Sequence, residues 1–161
     1  MDNRTYKLLV VSDTHGNIDA IEKMVASEPD IHGIMHLGDG ISDLMTAEIP
    51  MHIERHCVNG NCDAARGHPR TLESTFGGVG VVAAHGDSYN VKQTLTSLRS
   101  KVIRSEAPLG FFGHTHERTH SDENGVKLIN PGHGARGEYL VAVFSEKGYA
   151  VEFKEITLGE Q

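Results

Sequence analysis

The chain has 161 residues, 38% of them hydrophobic, and carries 15 Lys and Arg against 22 Asp and Glu, for a formal net charge of −7. Length and composition point to one globular α/β-sized domain over residues 1–161 and exclude a collagen-like or disordered chain. The acidic balance gives no signal for nucleic-acid binding, which would show a basic stripe, and no apolar run approaches the roughly 18 residues of a membrane span.

Residues 6–12 (YKLLVVS) form a continuous apolar run ending in polar residues, the pattern of a strand buried on both faces. A helix follows, with Ile18, Ile21 and Val25 on one face and Glu28-Pro29 as its stop. Residues 31–37 read as a second strand, 41–48 as a short helix and 52–58 as a third strand, the βαβαβ alternation of a parallel sheet. Beyond a loop over 61–70, strands are predicted near 72–76 and 79–85, and a helix over 90–105 with Val91, Leu95, Leu98 and Val102 on one face. Short strands near 110–112, 117–121, 126–130, 139–145 and 149–156 then read as antiparallel hairpins turning at Glu123-Asn124-Gly125 and Lys147-Gly148. The expectation is two sheets packed face to face with helices outside. The segment MDNRTYKLLVVSD is too short in apolar residues for a signal peptide. Cys57 and Cys62 are fewer cysteines than a secreted disulfide scaffold carries, so a cytoplasmic protein with reduced thiols is expected.

Eleven histidines are unusual in so acidic a chain. Predicted strand ends are followed by metal-type side chains flanked by glycine: Asp13-Thr14-His15-Gly16, Gly38-Asp39, Gly60-Asn61, His85-Gly86 and Gly113-His114-Thr115-His116. Successive sites lie 26, 22, 24 and 29 residues apart, near the length of a βαβ unit, so each turn of the fold returns a ligand to the carboxyl edge of the sheet. If Asp13-x-His15 and His114-x-His116 stay extended, each pair points to one side. Each motif alone has an ordinary reading as a surface turn; their joint order carries the weight. Two carboxylates, one amide oxygen and four imidazoles are too many for one tetrahedral zinc and suit two ions sharing a bridge.

The ordered set Asp13/His15, Asp39, Asn61, His85 and His114/His116 resembles the calcineurin-like metallophosphoesterases, within them the small single-domain phosphodiesterases, from Asp13 to about Arg136. The resemblance implies a four-layer α/β/β/α sandwich of two mixed sheets flanked by helices. It implies Asp13, His15 and His116 on one divalent ion, Asn61, His85 and His114 on the other, and Asp39 bridging. Mn²⁺ is the first expectation, with Fe, Co, Ni or Zn also fitting mixed N/O ligands. The chemistry expected is in-line attack on a small phosphodiester by a metal-bridging hydroxide, the cationic ions offsetting the acidic protein locally. Asp39, Asn61, Cys62, Asp63 and His114 are the candidate catalytic residues.

Three positions depart from the family pattern. Cys62 stands where many members carry His, as a weak donor, a neighbour of the ions or packing, with Asp63 orienting it or capping the next turn. Asp87 replaces the second His of His-Gly-His and would repel a dianionic monoester more than a diester. His133 replaces Ser in Asn130-Pro131-Gly132 and is expected to be exposed. Lys92, Arg99, Lys101 and Arg104 read as a solvated helix face, and Arg66, Arg70 and Arg136 are alternatives for a phosphate contact. The competing reading is a metal-binding scaffold like the retromer subunit that resembles these enzymes. A symmetric homodimer is the base-rate expectation.

Overall fold

The apolar run at the start of the chain is continuous because its strand faces two different cores. In the computed structural model, which describes residues 5–64 and 67–158, Leu8 and Val10 of β1 (Tyr6–Val11) lie between two sheets, against Met35, Phe111, Ile129 and Phe144. Leu9 and Val11 face the other way, onto Ile21, Met24 and Leu44. The same alternation recurs in β5 (Val79–Ala84), where Val81 and Ala83 face the inter-sheet core while Val82 and Ala84 face Leu98 and Val102. Three stacked cores therefore separate four layers, the α/β/β/α sandwich. Each fully buried Leu or Val contributes about 2 kcal/mol.

The first sheet has the order β10-β9-β1-β2-β3. Its strands β1, β2 (Gly33–His36) and β3 (Glu54–Cys57) are parallel, joined through α1 (Ile18–Ala26) and α2 (Ile41–Thr46). The second sheet has the order β4-β5-β6-β8-β7, with β4 (Thr71–Phe76) antiparallel to β5, and β6 (Leu109–Phe112) parallel to both β5 and β8 (Val126–Asn130). The hairpin of β7 (Thr119–Glu123) with β8 matches expectation. The next hairpin, β9 (Glu138–Ser145) with β10 (Gly148–Glu155), leaves that sheet and pairs through β9 with β1 of the first. The run of short strands is therefore divided between the sheets, because β9 carries an apolar residue to each core, Tyr139 beneath α1 and Leu140 between the sheets.

The predicted helix over 90–105 begins only at Thr96, as α3 (Thr96–Arg104). Asn90 is left-handed at φ 55° and ends a 3₁₀ turn over Asp87–Tyr89, so 90–93 form turns and 94–95 an irregular link to α3. Val91 still reaches the α3 core, which is why its spacing looked helical. Arg99 is not on a solvated face: it is buried and donates to Ser121 Oγ at 2.6 Å. No helix among the described residues is long and apolar enough to cross a membrane.

At the amino end of β1 lies a buried polar cluster. Glu28, 3% exposed, accepts from Tyr139 Oη at 2.8 Å and from Lys154 Nζ at 3.0 Å, with Lys7 Nζ at 3.4 Å. Burial raises its pKa, but the Tyr139 and Lys154 contacts outweigh that and leave it below the ordinary 4.5. A lowered folded pKa means that this contribution is full above the unfolded value and is lost as pH falls through the folded one. Glu28→Gln is expected to lower stability by about 2 kcal/mol at neutral pH and by less near pH 3. Urea midpoints at the two pH values check it, and an equal loss at both would remove the charge as its cause.

Candidate metal centre

The loops after β1, β2, β3, β5 and β6 meet at the carboxyl edges of the two sheets, bringing six of the seven expected ligands together. Asp13, His15 and His116 form one group, and Asp39, His85 and His114 a second; the ligand atoms within each group lie within 4.8 Å of one another. Asp39 Oδ2 is 3.2 Å from His85 Nε2 and 4.0 Å from His15 Nε2, so its carboxylate stands between the groups. Asn61 lies beside them, exposed, on the loop after β3, its amide nitrogen 3.6 Å from the Cys62 sulfur.

The pairs do not reach the site by staying extended. Asp13, His15, Asp39, His114 and His116 all have positive φ, between 41° and 72°, five of the eight such non-glycine residues among those described. Asp and His tolerate this region better than most residues, but a cluster of them marks a functional site rather than a folding need. Neighbouring glycines allow the close approach. A Cβ on Gly60 would collide with Asp39 Oδ1, and one on Gly113 with the Ser12 hydroxyl.

Each carboxylate is held by one oxygen and aimed by the other. Asp13 Oδ2 accepts from Ser12 Oγ at 2.5 Å and from the His114 amide at 3.1 Å. Its Oδ1 is buried without a hydrogen-bond partner, 3.3 Å from His116 Nε2. Asp39 Oδ1 accepts from the Cys62 amide at 2.8 Å, leaving Oδ2 toward the histidines. His85 is fully buried with Nδ1 2.8 Å from the Leu37 carbonyl, so Nδ1 carries the proton and the Nε2 lone pair points at Asp39 Oδ2 and at His114 Nδ1, 3.1 Å away. Second partners of this kind commonly fix metal-binding imidazoles. Converging acceptors with an orphaned buried carboxylate oxygen fit divalent cations.

Polar residues beneath the site fix the loops. Asp63 is engaged with backbone alone: it accepts from the amides of Asp39 (2.7 Å), Gly40 (2.9 Å), Ile41 (3.1 Å) and Gly60 (2.8 Å). It therefore caps α2 and ties the Asp39 loop to the Asn61 loop, a positioning role rather than one that orients Cys62. Burial raises its pKa, and the four N–H groups more than reverse that. His36 was unreadable from sequence. Fully buried, its Nδ1 accepts from the Gly38 amide at 3.0 Å and its Nε2 meets Thr14 Oγ1 at 3.0 Å, which donates to Asp43 at 2.6 Å. Burial pushes its pKa down to about 4, so it is neutral.

Around the rim, Cys62 is exposed, and the Asp39 charge beside it raises its thiol pKa, so it is a thiol and not a thiolate. Asp87 is paired with Arg70 at 3.1 Å, which offsets the repulsion expected of it. The expectation that His133 is exposed is not met: half-buried, it stacks on His116 at 4.2 Å between centroids and 18° between planes. The turn that carries it is docked by Asn130, which donates to Gly113 O and Thr115 Oγ1. Burial, then His116 and Arg136, lower the His133 pKa; burial, then His85 and Lys92, lower that of His114. Arg66 lies outside the described residues.

Residues 6–145 match the calcineurin-like phosphoesterase superfamily domain. The fold is similar to that of a predicted phosphoesterase of Streptococcus pneumoniae, at a TM-score of 0.78 and 20% identity, covering 96% of this chain and 91% of that one. It is also similar to vacuolar protein sorting 29 of Cryptosporidium parvum (TM-score 0.73, 16% identity, 98% and 100% covered). An archaeal phosphodiesterase gives a TM-score of 0.67 at 17% identity, with 92% and 99% covered. No curated protein matches the sequence.

Proposed function

Because this chain belongs to the calcineurin-like phosphoesterase superfamily, we propose that it is a dinuclear metal-dependent phosphoesterase acting on small phosphodiesters in the cytoplasm. The observation that carries the reading is the pair of three-residue ligand groups with Asp39 between them. Asp13, His15 and His116 would hold one divalent ion, and His85, His114 and the Asn61 carbonyl oxygen the other, with Asp39 shared. When bound, such ions polarise a phosphoryl oxygen and make a nucleophile available at neutral pH. Mn²⁺ is the ion we favour, although the donor set also suits Fe, Co, Ni and Zn.

The protein's own contribution is orientation. Asp13 and Asp39 are pinned through one oxygen each, and His85 is locked in one tautomer, so the donor set is arranged before an ion or ester arrives. Cys62, a neutral thiol beside Asn61, is placed as a weak hydrogen-bond donor toward the ester. A diester is favoured over a monoester because Glu117, next to His116 in the chain, adds negative charge near the site and the net charge is −7, although Arg70 offsets Asp87. The similarity to an archaeal phosphodiesterase supports the same choice.

The likeness to vacuolar protein sorting 29 favours a second reading, a metal-binding scaffold. Metal-stripped protein given Mn²⁺ or Ni²⁺ is expected to regain hydrolysis of a bis-aryl phosphate, and more weakly of a mono-aryl phosphate. Two bound ions by calorimetry with no turnover of either ester would select the scaffold.

A further inference from the structure

A cleft of about 410 Å³ opens beside the metal groups and is not used by them. Val91, Leu95 and Phe112 give it an apolar wall, and Thr115, between His114 and His116 in the chain, lines it as well. The cleft thus starts one residue from two proposed ligands, and its size is within the range of small-molecule sites.

Two charges at its edge restrict what it can hold. Lys92 is exposed and, among the described residues, has no ion pair or hydrogen bond. Neighbouring cations differ: Arg70 pairs with Asp87, Arg99 with Ser121 and Glu123, and Lys101 with Glu73. Lys92 lines the same cleft as Thr115, the residue between His114 and His116 in the chain, so its cation is at hand for an anion on the metals. Glu117 lines the cleft too and opposes a second anion there.

We propose that this cleft seats the uncharged, apolar ester group of a phosphodiester whose phosphate lies at the metal centre, with Lys92 facing the phosphate. This rests on the phosphoesterase reading above. Val91 and Phe112 are buried and form the floor, so an aryl-sized group gains by covering half-buried Leu95 and the aliphatic stem of Lys92, whereas a methyl group leaves these wet. An ester carrying further phosphates meets Glu117, so polyphosphorylated nucleotides are disfavoured.

The test compares bis-para-nitrophenyl phosphate with methyl para-nitrophenyl phosphate on the Mn²⁺-loaded protein, because the leaving group is the same in both. The preference for the bis-aryl ester in kcat/KM is expected to fall about tenfold in Leu95→Ala. Leu95→Met, which keeps apolar volume, is expected to restore it. Lys92→Gln, on an exposed position, should raise KM for both esters and leave their ratio alone. Amide resonances of Val91 and Leu95 should shift with diphenyl phosphate and not with dimethyl phosphate. Turnover with an unchanged ratio in folded Leu95→Ala, or no selective shifts, overturns the cleft and leaves the phosphoesterase reading standing. No turnover of either ester by the unmodified protein overturns both.

Discussion

Asp39→Asn is expected to lower metal-dependent ester hydrolysis by about a thousandfold or more while the fold survives. The substitution keeps the shape of the side chain, and an amide oxygen can still accept from the Cys62 amide. The other end changes sign. Where Asp39 Oδ2 now faces His85 Nε2 at 3.2 Å, an amide N–H₂ would donate to that lone pair, since His85 Nδ1 already gives its proton to Leu37. The donor set becomes self-satisfied, and a cation would have to break that bond with one less negative charge to meet it. Metal-free stability should therefore hold or rise, and the rise in melting temperature with Mn²⁺ should shrink. Calorimetric stoichiometry below two ions, together with lost turnover, is the expected pair of results. Full activity in this variant would remove the shared-carboxylate arrangement.

The same residue shows what sequence could and could not supply. Asp39, Asp13 and the four histidines were legible because each lies in a short glycine-containing motif that follows a strand, and topology returns strand ends to one edge. The reason they converge was not: the i, i+2 pairs are left-handed, and positive φ at Asp13 and His116 is set by packing across loops that no local pattern records. His36 and His133 were illegible for a related reason. Their partners, Thr14 and His116, lie 22 and 17 residues away and reach them only through the parallel sheet and the docked Asn130 turn. Apolar spacing gave the layers well and the helix start badly, because Val91 enters the α3 core from a turn. Both hairpins were legible from their turns, but the place of the β9–β10 hairpin in the first sheet was not. Its pairing with β1 joins segments at opposite ends of the chain, which no local pattern records.

Asp63→Ala is expected to cost about 3–4 kcal/mol of stability and, separately, to weaken Mn²⁺ binding. Four backbone N–H groups lose a charged acceptor at once, each worth about 1 kcal/mol net. Among these are the amides of Gly40 and Ile41 at the start of α2, where Gly40 supplies no side-chain cap, so Asp63 caps that helix from another loop. The stability loss alone does not identify a positioning role, because any buried acceptor would produce one. The discriminating observation is that Asp63 holds the amides of Asp39 and Gly60 together, the two loops whose Asp39 and Asn61 are proposed to share an ion. Glu28→Gln is the control: it lies at the opposite end of β1 and lowers stability without touching either loop. Compared at temperatures where both variants are folded, Asp63→Ala should bind Mn²⁺ at least tenfold more weakly than Glu28→Gln and lose kcat beyond what the metal deficit explains. Equal metal affinity in the two variants would reduce Asp63 to a helix cap.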